Sequence, residues 1–239
     1  MAFSGVHVKR LTRRFDRQVI LRTLSLDFPA GSCTALLGAN GSGKTTLLRI
    51  LATRLRPTRG EVRYGDVAWD DVDESVRGAI GVVGHGTMLY RDLTGRENLR
   101  FQARLHGLGD AHDRVERALA EVGMAEQSDT PVGRCSRGMA QRLALARALL
   151  HDPSLLLMDE PFTGLDREGS RGLMKRLAKA RGDGCTIILV THAPGDVAHL
   201  CDRVAVLKQG SVAHAGPFEG DAAALEGLLL EYLSADVAA

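Results

Sequence analysis

Short apolar runs of strand length alternate along the chain with stretches whose apolar residues recur at three- and four-residue spacing. That is the pattern of strands leading into helices. Residues 32–37 read as a buried strand. Helical spacing follows over 44–55, then turn chemistry at Pro57, Thr58, Arg59 and Gly60, and strands over 61–64 and 79–83. From residue 94 to 150 the strand-type runs cease, and 97–106, 113–122 and 136–150 all carry helical spacing. Strands return at Leu155–Asp159, Thr186–Val190 and 203–207, with a helix over 168–181, a hairpin turn at 208–211 and an amphipathic helix over 222–233. The alternation predicts an α/β fold with a largely parallel sheet core, an inserted helical subdomain and a short antiparallel β part. We expect one domain over 1–239: core segments at about 1–86 and 152–216, the helical subdomain at about 87–151, and a C-terminal helix at about 221–235.

Charge narrows the partners. Lys and Arg total 31 against 29 acids, so the concentrated basic face of a nucleic-acid binder is missing. The Arg-rich stretches 10–17 and 49–63 are not interleaved with stacking aromatics. They read as solvated or partner-contacting faces, and no nucleic-acid partner is expected. No apolar run approaches the ~20 residues that span a bilayer, and the first ten residues lack the apolar core of a signal peptide. The expectation is a soluble cytoplasmic chain that does any membrane work through another chain. Cys33, Cys135, Cys185 and Cys201 form no C-x-x-C pair, which argues against a zinc site or disulfide framework. His106 and His112 lie close in sequence, but Gly107 and Gly109 between them argue against a shared metal.

Residues Gly38, Ala39, Asn40, Gly41, Ser42, Gly43, Lys44 and Thr45 match the phosphate-loop pattern G-x-x-x-x-G-K-[ST], between a strand and a helix as the motif requires. Glycines allow the backbone to wrap phosphates, and the N-terminus of the helix that starts at Lys44, with Thr45 and Thr46 in its first turn, favours the anion. Lys44 is expected to reach the β- and γ-phosphates and the Thr45 hydroxyl to ligate Mg²⁺. Asp159 ends a buried strand, where ligands of open α/β sheets bind, and is the second candidate Mg²⁺ ligand. Glu160 beside it is the candidate general base for an attacking water. Pro161 fixes the exit from this pair and disfavours a simple helix-cap role. No Asn-Lys-x-Asp guanine-recognition motif is present, so ATP is the expected nucleotide.

Over about residues 6–216 the chain resembles the ATP-binding subunits of ABC transporters. The resemblance is carried by the phosphate loop, the 155–160 strand and acids, Ser136 and Gly138 with Gln141 and Arg142 following, Thr163-Gly164-Leu165-Asp166, and Thr191-His192. It implies a P-loop NTPase fold and a head-to-tail dimer, identical or mixed, that sandwiches two ATPs. Ser136, Arg137 and Gly138 would then serve the opposite subunit's γ-phosphate, and 163–166 would link the two sites. It further implies that Phe15 stacks on adenine, that His192 contacts the γ-phosphate and positions the water, and that the chain sits peripherally on the cytoplasmic face of the membrane against a separate permease. Departures from the family's signature are Cys135, Arg137 and Met139; Arg137 is bulky but cationic. His85 stands at or next to a position where a Gln usually meets Mg²⁺, and imidazole is a poor Mg²⁺ ligand. Gly84-His85-Gly86 together with Leu93-Thr94 and Glu97-Asn98-Leu99 looks most like the heme-exporter branch of cytochrome c maturation. An efflux ATPase for a drug or lipid-like compound is the alternative. A soluble ABC ATPase acting on nucleic acid would usually carry a second ATPase unit or a long coiled-coil insertion, and this chain has neither.

Overall fold

A computed structural model describes residues 3–84 and 86–234. The chain opens with an antiparallel hairpin, β1 (Gly5–Phe15) and β2 (Gln18–Pro29). Register shifts between Val8 and Leu11, between Leu11 and Arg13, and between Arg13 and Arg14 break its alternation. A bulge disrupts the two-residue period, so the pattern alone does not show this hairpin. Next come β3 (Cys33–Gly38), α1 (Lys44–Leu51), β4 (Arg59–Tyr64), β5 (Val67–Ala68), α2 (Glu74–Gly78) and β6 (Ile80–Val83). Three helices follow, α3 (Gly95–Leu105), α4 (Ala111–Glu121) and α5 (Arg137–Leu149). The chain then runs through β7 (Leu155–Asp159), α6 (Arg167–Gly182), β8 (Thr186–Val190), β9 (Arg203–Lys208), β10 (Ser211–Pro217) and α7 (Ala222–Ser234).

The main sheet has the order β10-β9-β3-β8-β7-β6, parallel except for β10 at its edge. The second sheet, β2-β1-β4-β5, is antiparallel. Central strands send alternate residues to two cores. Leu36, Leu155, Leu157, Ile188 and Val190 join Phe28, Tyr64, Leu47 and Ile50 between the sheets and α1. Leu37, Leu156, Met158, Ile187 and Leu189 face Leu173, Leu177 and Leu225 on the other side. Burial on both faces explains the uninterrupted apolar runs.

Helices α3 to α5 carry a third core built on Leu99, Val115, Leu119, Leu143, Ala146 and Leu150. Helix α5 also sends Leu145, Ala148 and Leu149 into the sheet-side core. It therefore buries apolar residues on two faces and joins the helical block to the sheet.

Several boundaries differ from the periodicity, two of them for a visible reason. Helix α1 stops at Leu51 and does not reach 55, because Thr53 turns left-handed at φ 58°. Helix α3 starts at Gly95, ahead of Glu97, in a reciprocal cap: Glu97 N donates to Thr94 Oγ1 and Thr94 N to Glu97 Oε2.

His106 stacks on His151 at the end of α5, and not on His112; the rings lie 3.9 Å apart and 13° from parallel. Burial, then the neighbouring His106, pushes the His151 pKa down to about 4, with Arg147 adding to the effect and Asp152 and the Ile80 backbone opposing it. Burial and Arg147 lower His106 too. The unfolded chain takes up these protons near pH 6.5 and the folded chain does not. Stability is therefore full above about pH 6.5 and falls towards pH 4, by about 3 kcal/mol for His151. Thermal melts between pH 7 and 4.5 should show this slope, and His151→Gln should flatten it. An unchanged slope in the variant would assign the acid sensitivity to other groups.

Candidate nucleotide site

The phosphate loop leaves the C-terminal end of β3, between β8 and β9. Two of its glycines are demanded by close neighbours. A Cβ on Gly38 (φ +144°) would lie 2.2 Å from Leu207 O, and one on Gly43 (φ +104°) 2.5 Å from Leu21 Cδ2. No side chain caps α1, so its first amides are available to an anion. Ser42 Oγ is buried without a hydrogen-bond partner. Lys44, only 6 % exposed, donates from Nζ to Gly38 O (2.7 Å) and Ala39 O (2.9 Å). Burial lowers its pKa, while Glu160 and then Asp159 oppose the shift. Thr46 sits half-buried one position further along α1 than Thr45.

Strand β7 places Asp159 in register with Val190 of β8. The Thr45 hydroxyl donates to Asp159 Oδ2 at 2.8 Å. A hydroxyl and a carboxylate are hard oxygen donors, the set that suits Mg²⁺. Glu160 turns away from the strand with φ 55°, a region that costs a non-glycine residue of order 1–3 kcal/mol. It is held there from the β8 side: Glu160 N donates to Val190 O (2.9 Å), and Oε2 accepts from the His192 backbone N–H (3.2 Å). Its other oxygen, Oε1, lies 3.4 Å from His192 Nε2. Glu160 is 15 % exposed and His192 57 %, so the acid is sheltered and the imidazole reaches outward.

Residues 38–46, 159, 160 and 192 thus converge, while Ser136, Arg137 and Gly138 lie elsewhere. Among the described residues no hydrogen bond joins these three to the loop 38–46. Ser136 caps α5 by accepting from Met139 N at 3.2 Å, which leaves its O–H free to donate. Phe15 is exposed at the β1–β2 turn with the Arg13 guanidinium 4.3 Å from its ring centroid, a cation–π contact that the sequence reading missed. His85 lies outside the described residues.

Also missed were two ties from α5 to the segment after Glu160, Gln141 Nε2 to Pro161 O and Arg142 to Asp166. A polar residue among Leu and Ala on a buried helix face was the available signal. A separate cleft of about 500 Å³ lies between α4 and α6. Its cations are matched by acids, Arg114 with Asp110 and Asp152, Arg176 with Glu121, and Lys179 with Asp183, so its charge demands no ligand. No helix of the described residues is long and apolar enough to cross a membrane.

The family model for ABC transporters matches residues 21–163. The chain is 33% identical to the uncharacterized ABC transporter ATP-binding protein YdbJ of Bacillus subtilis (strain 168), over 97% of this chain and 75% of that protein. It is 36% identical to the ABC transporter ATP-binding protein NatA of the same organism, over 87% of each. The Nod factor export ATP-binding protein I of Burkholderia lata is 35% identical, over 88% of this chain and 70% of its own length. Among solved structures, an ATP-binding subunit of an ABC transporter superposes with TM-score 0.87 at 27% identity, covering 94% of this chain and 99% of that one. A dimeric ATP-binding cassette in a post-hydrolysis state, bound to ADP and Pi, superposes with TM-score 0.82 at 28% identity, over 90% and 99%. The chain belongs to the ABC transporter ATP-binding family and is an ABC ATPase domain with the P-loop NTPase fold.

Proposed function

We propose that this chain hydrolyses ATP at the 38–46 loop to drive a separate membrane permease. The observation that carries the reading is the convergence of Lys44, the Thr45–Asp159 pair and the Glu160–His192 contact at the ends of β3, β7 and β8. Lys44 balances the β- and γ-phosphates, and the α1 amides with Ser42 bind the remaining oxygens. Thr45 and Asp159 are the residues that would hold Mg²⁺, which when bound screens phosphate charge. Glu160 accepts the proton of the attacking water, and His192 fixes the carboxylate through its backbone N–H and presents its imidazole to the γ-phosphate. Phe15 offers a ring face to adenine.

The cassette dimers among the structural relatives support pairing with a second ATPase subunit, identical or different. In that pairing Ser136, Arg137 and Gly138 serve the opposite site. Residues 1–239 act as one unit whose helical block, 87–151, meets the permease, so the chain works on the cytoplasmic face of the membrane. For the cargo, the 84–101 segment supports heme export. The second reading is an efflux ATPase for a drug or lipid-like compound, and the Nod factor export relative supports export as such. Affinity capture of the tagged chain from solubilised membranes, with identification of the co-purifying permease, tests both. An integral membrane partner retained in ATP is expected, and capture of soluble proteins or nucleic acid alone would overturn the transport reading.

A further inference from the structure

The first two turns of α5 are tied to the segment that leaves Glu160 at three points. Gln141 Nε2 donates to Pro161 O at 3.1 Å. Arg142 grips both carboxylate oxygens of Asp166 (2.8 and 2.9 Å), and Asp166 in turn caps α6 through Gly169 N. Gly138 approaches so closely that a Cβ there would lie 2.8 Å from Gly164 O, and the stem of Arg137 lies over Gly164.

Gln141 is 9 % exposed on a helix otherwise lined with Leu and Ala. Packing gives no reason for an amide there, since burying one is costly unless it is hydrogen-bonded. Its partner is the carbonyl of the residue that follows Glu160, whose backbone is itself strained at φ 55°. Such a conformation persists only where its surroundings over-determine it. Val190 O and His192 N hold Glu160 from the β8 side, and Gln141 holds the chain just beyond it.

We propose that Gln141 is a positioning residue for hydrolysis, which keeps the Glu160 carboxylate aimed by anchoring Pro161 O and transmits movement of the Ser136–Gly138 end of α5 to it. Contacts that Ser136, Arg137 and Gly138 make with the opposite subunit's nucleotide thereby reach this chain's own base. The inference rests on the reading of Glu160 as general base.

The test is a double-mutant cycle on ATP hydrolysis by the full chain, with Gln141→Met, Glu160→Gln and the pair. Gln141→Met should lower kcat about tenfold, the scale on which the free energy of one hydrogen bond would shift Glu160 out of its aimed position. KM for ATP should stay within about twofold, any fall in melting temperature should leave the chain folded at the assay temperature, and adding the change to Glu160→Gln should cost nothing further. Gln141→Leu, which removes the donor with another apolar side chain of similar size, should behave alike and serves if the Met variant does not fold. An unchanged kcat, a rise in KM alone, or additive losses in the pair would overturn the role of Gln141. If Glu160→Gln is inactive and Gln141→Met fully active, only the positioning role fails. If Glu160→Gln hydrolyses like wild type, the base reading fails and takes the positioning role with it.

Discussion

Glu160→Gln is expected to lower ATP turnover by about 10²–10⁴-fold, the range that a positioned general base contributes. The amide is nearly isosteric and can still accept the His192 backbone N–H through its carbonyl oxygen, so the strained turn at Glu160 should be kept. What it loses is the ability to take a proton. Neither the Lys44 bonds to Gly38 and Ala39 nor the Thr45–Asp159 bond involves this side chain. Binding should therefore survive: KM within a few-fold of wild type, and a melting temperature that still rises with ATP. Single-turnover hydrolysis with a parallel nucleotide-binding measurement separates the two effects. Turnover within twofold of wild type would remove Glu160 from the chemistry.

Lys44→Met should fail at the preceding step. The Met stem preserves the packing of the lysine methylenes, while the charge and its two bonds across the loop disappear. Lys44 is a largely desolvated cation attracted by Glu160 and Asp159, so its removal also leaves two acids facing an incoming polyphosphate without compensation. Turnover should fall by about 10²–10³-fold, as when a preorganised electrostatic contact is deleted. Unlike Glu160→Gln, it should also abolish the stabilisation by ATP. In a binding-competent chain that stabilisation is about 2.7 kcal/mol at a hundredfold excess of ligand over Kd. Retention of the ATP-dependent shift in melting temperature would show that Lys44 does not hold the phosphates.

Much of the site is legible before folding because its parts are local. Glycine spacing in 38–43 encodes a loop, and the run Leu155–Met158 encodes a strand buried on both faces. Asp159 and Glu160 follow that run directly, so their place at a strand end comes with it. The β1–β2 hairpin is not legible, because bulges at Val8, Leu11 and Arg13 destroy the two-residue period. The end of α1 is misread because nothing in Ala52-Thr53-Arg54 marks the left-handed turn at Thr53. His106 finds His151 and not His112 because α3 and α5 pack side by side, a neighbourhood no short window contains.

The stretch from Cys135 to Asp166, which carries part of the family resemblance, divides along the same line. Its order of capped helix, apolar strand, acid pair and turn was written in the sequence, since each part depends on residues within one or two turns. Only the tertiary structure decided that α5 docks along that turn, so that Gln141 meets Pro161 and Arg142 meets Asp166. Likewise, only the pairing of β7 with β8 brings His192 to Glu160 across 32 positions. Sheet order and helix docking set such contacts, through burial summed over the whole core, and local pattern carries no record of them.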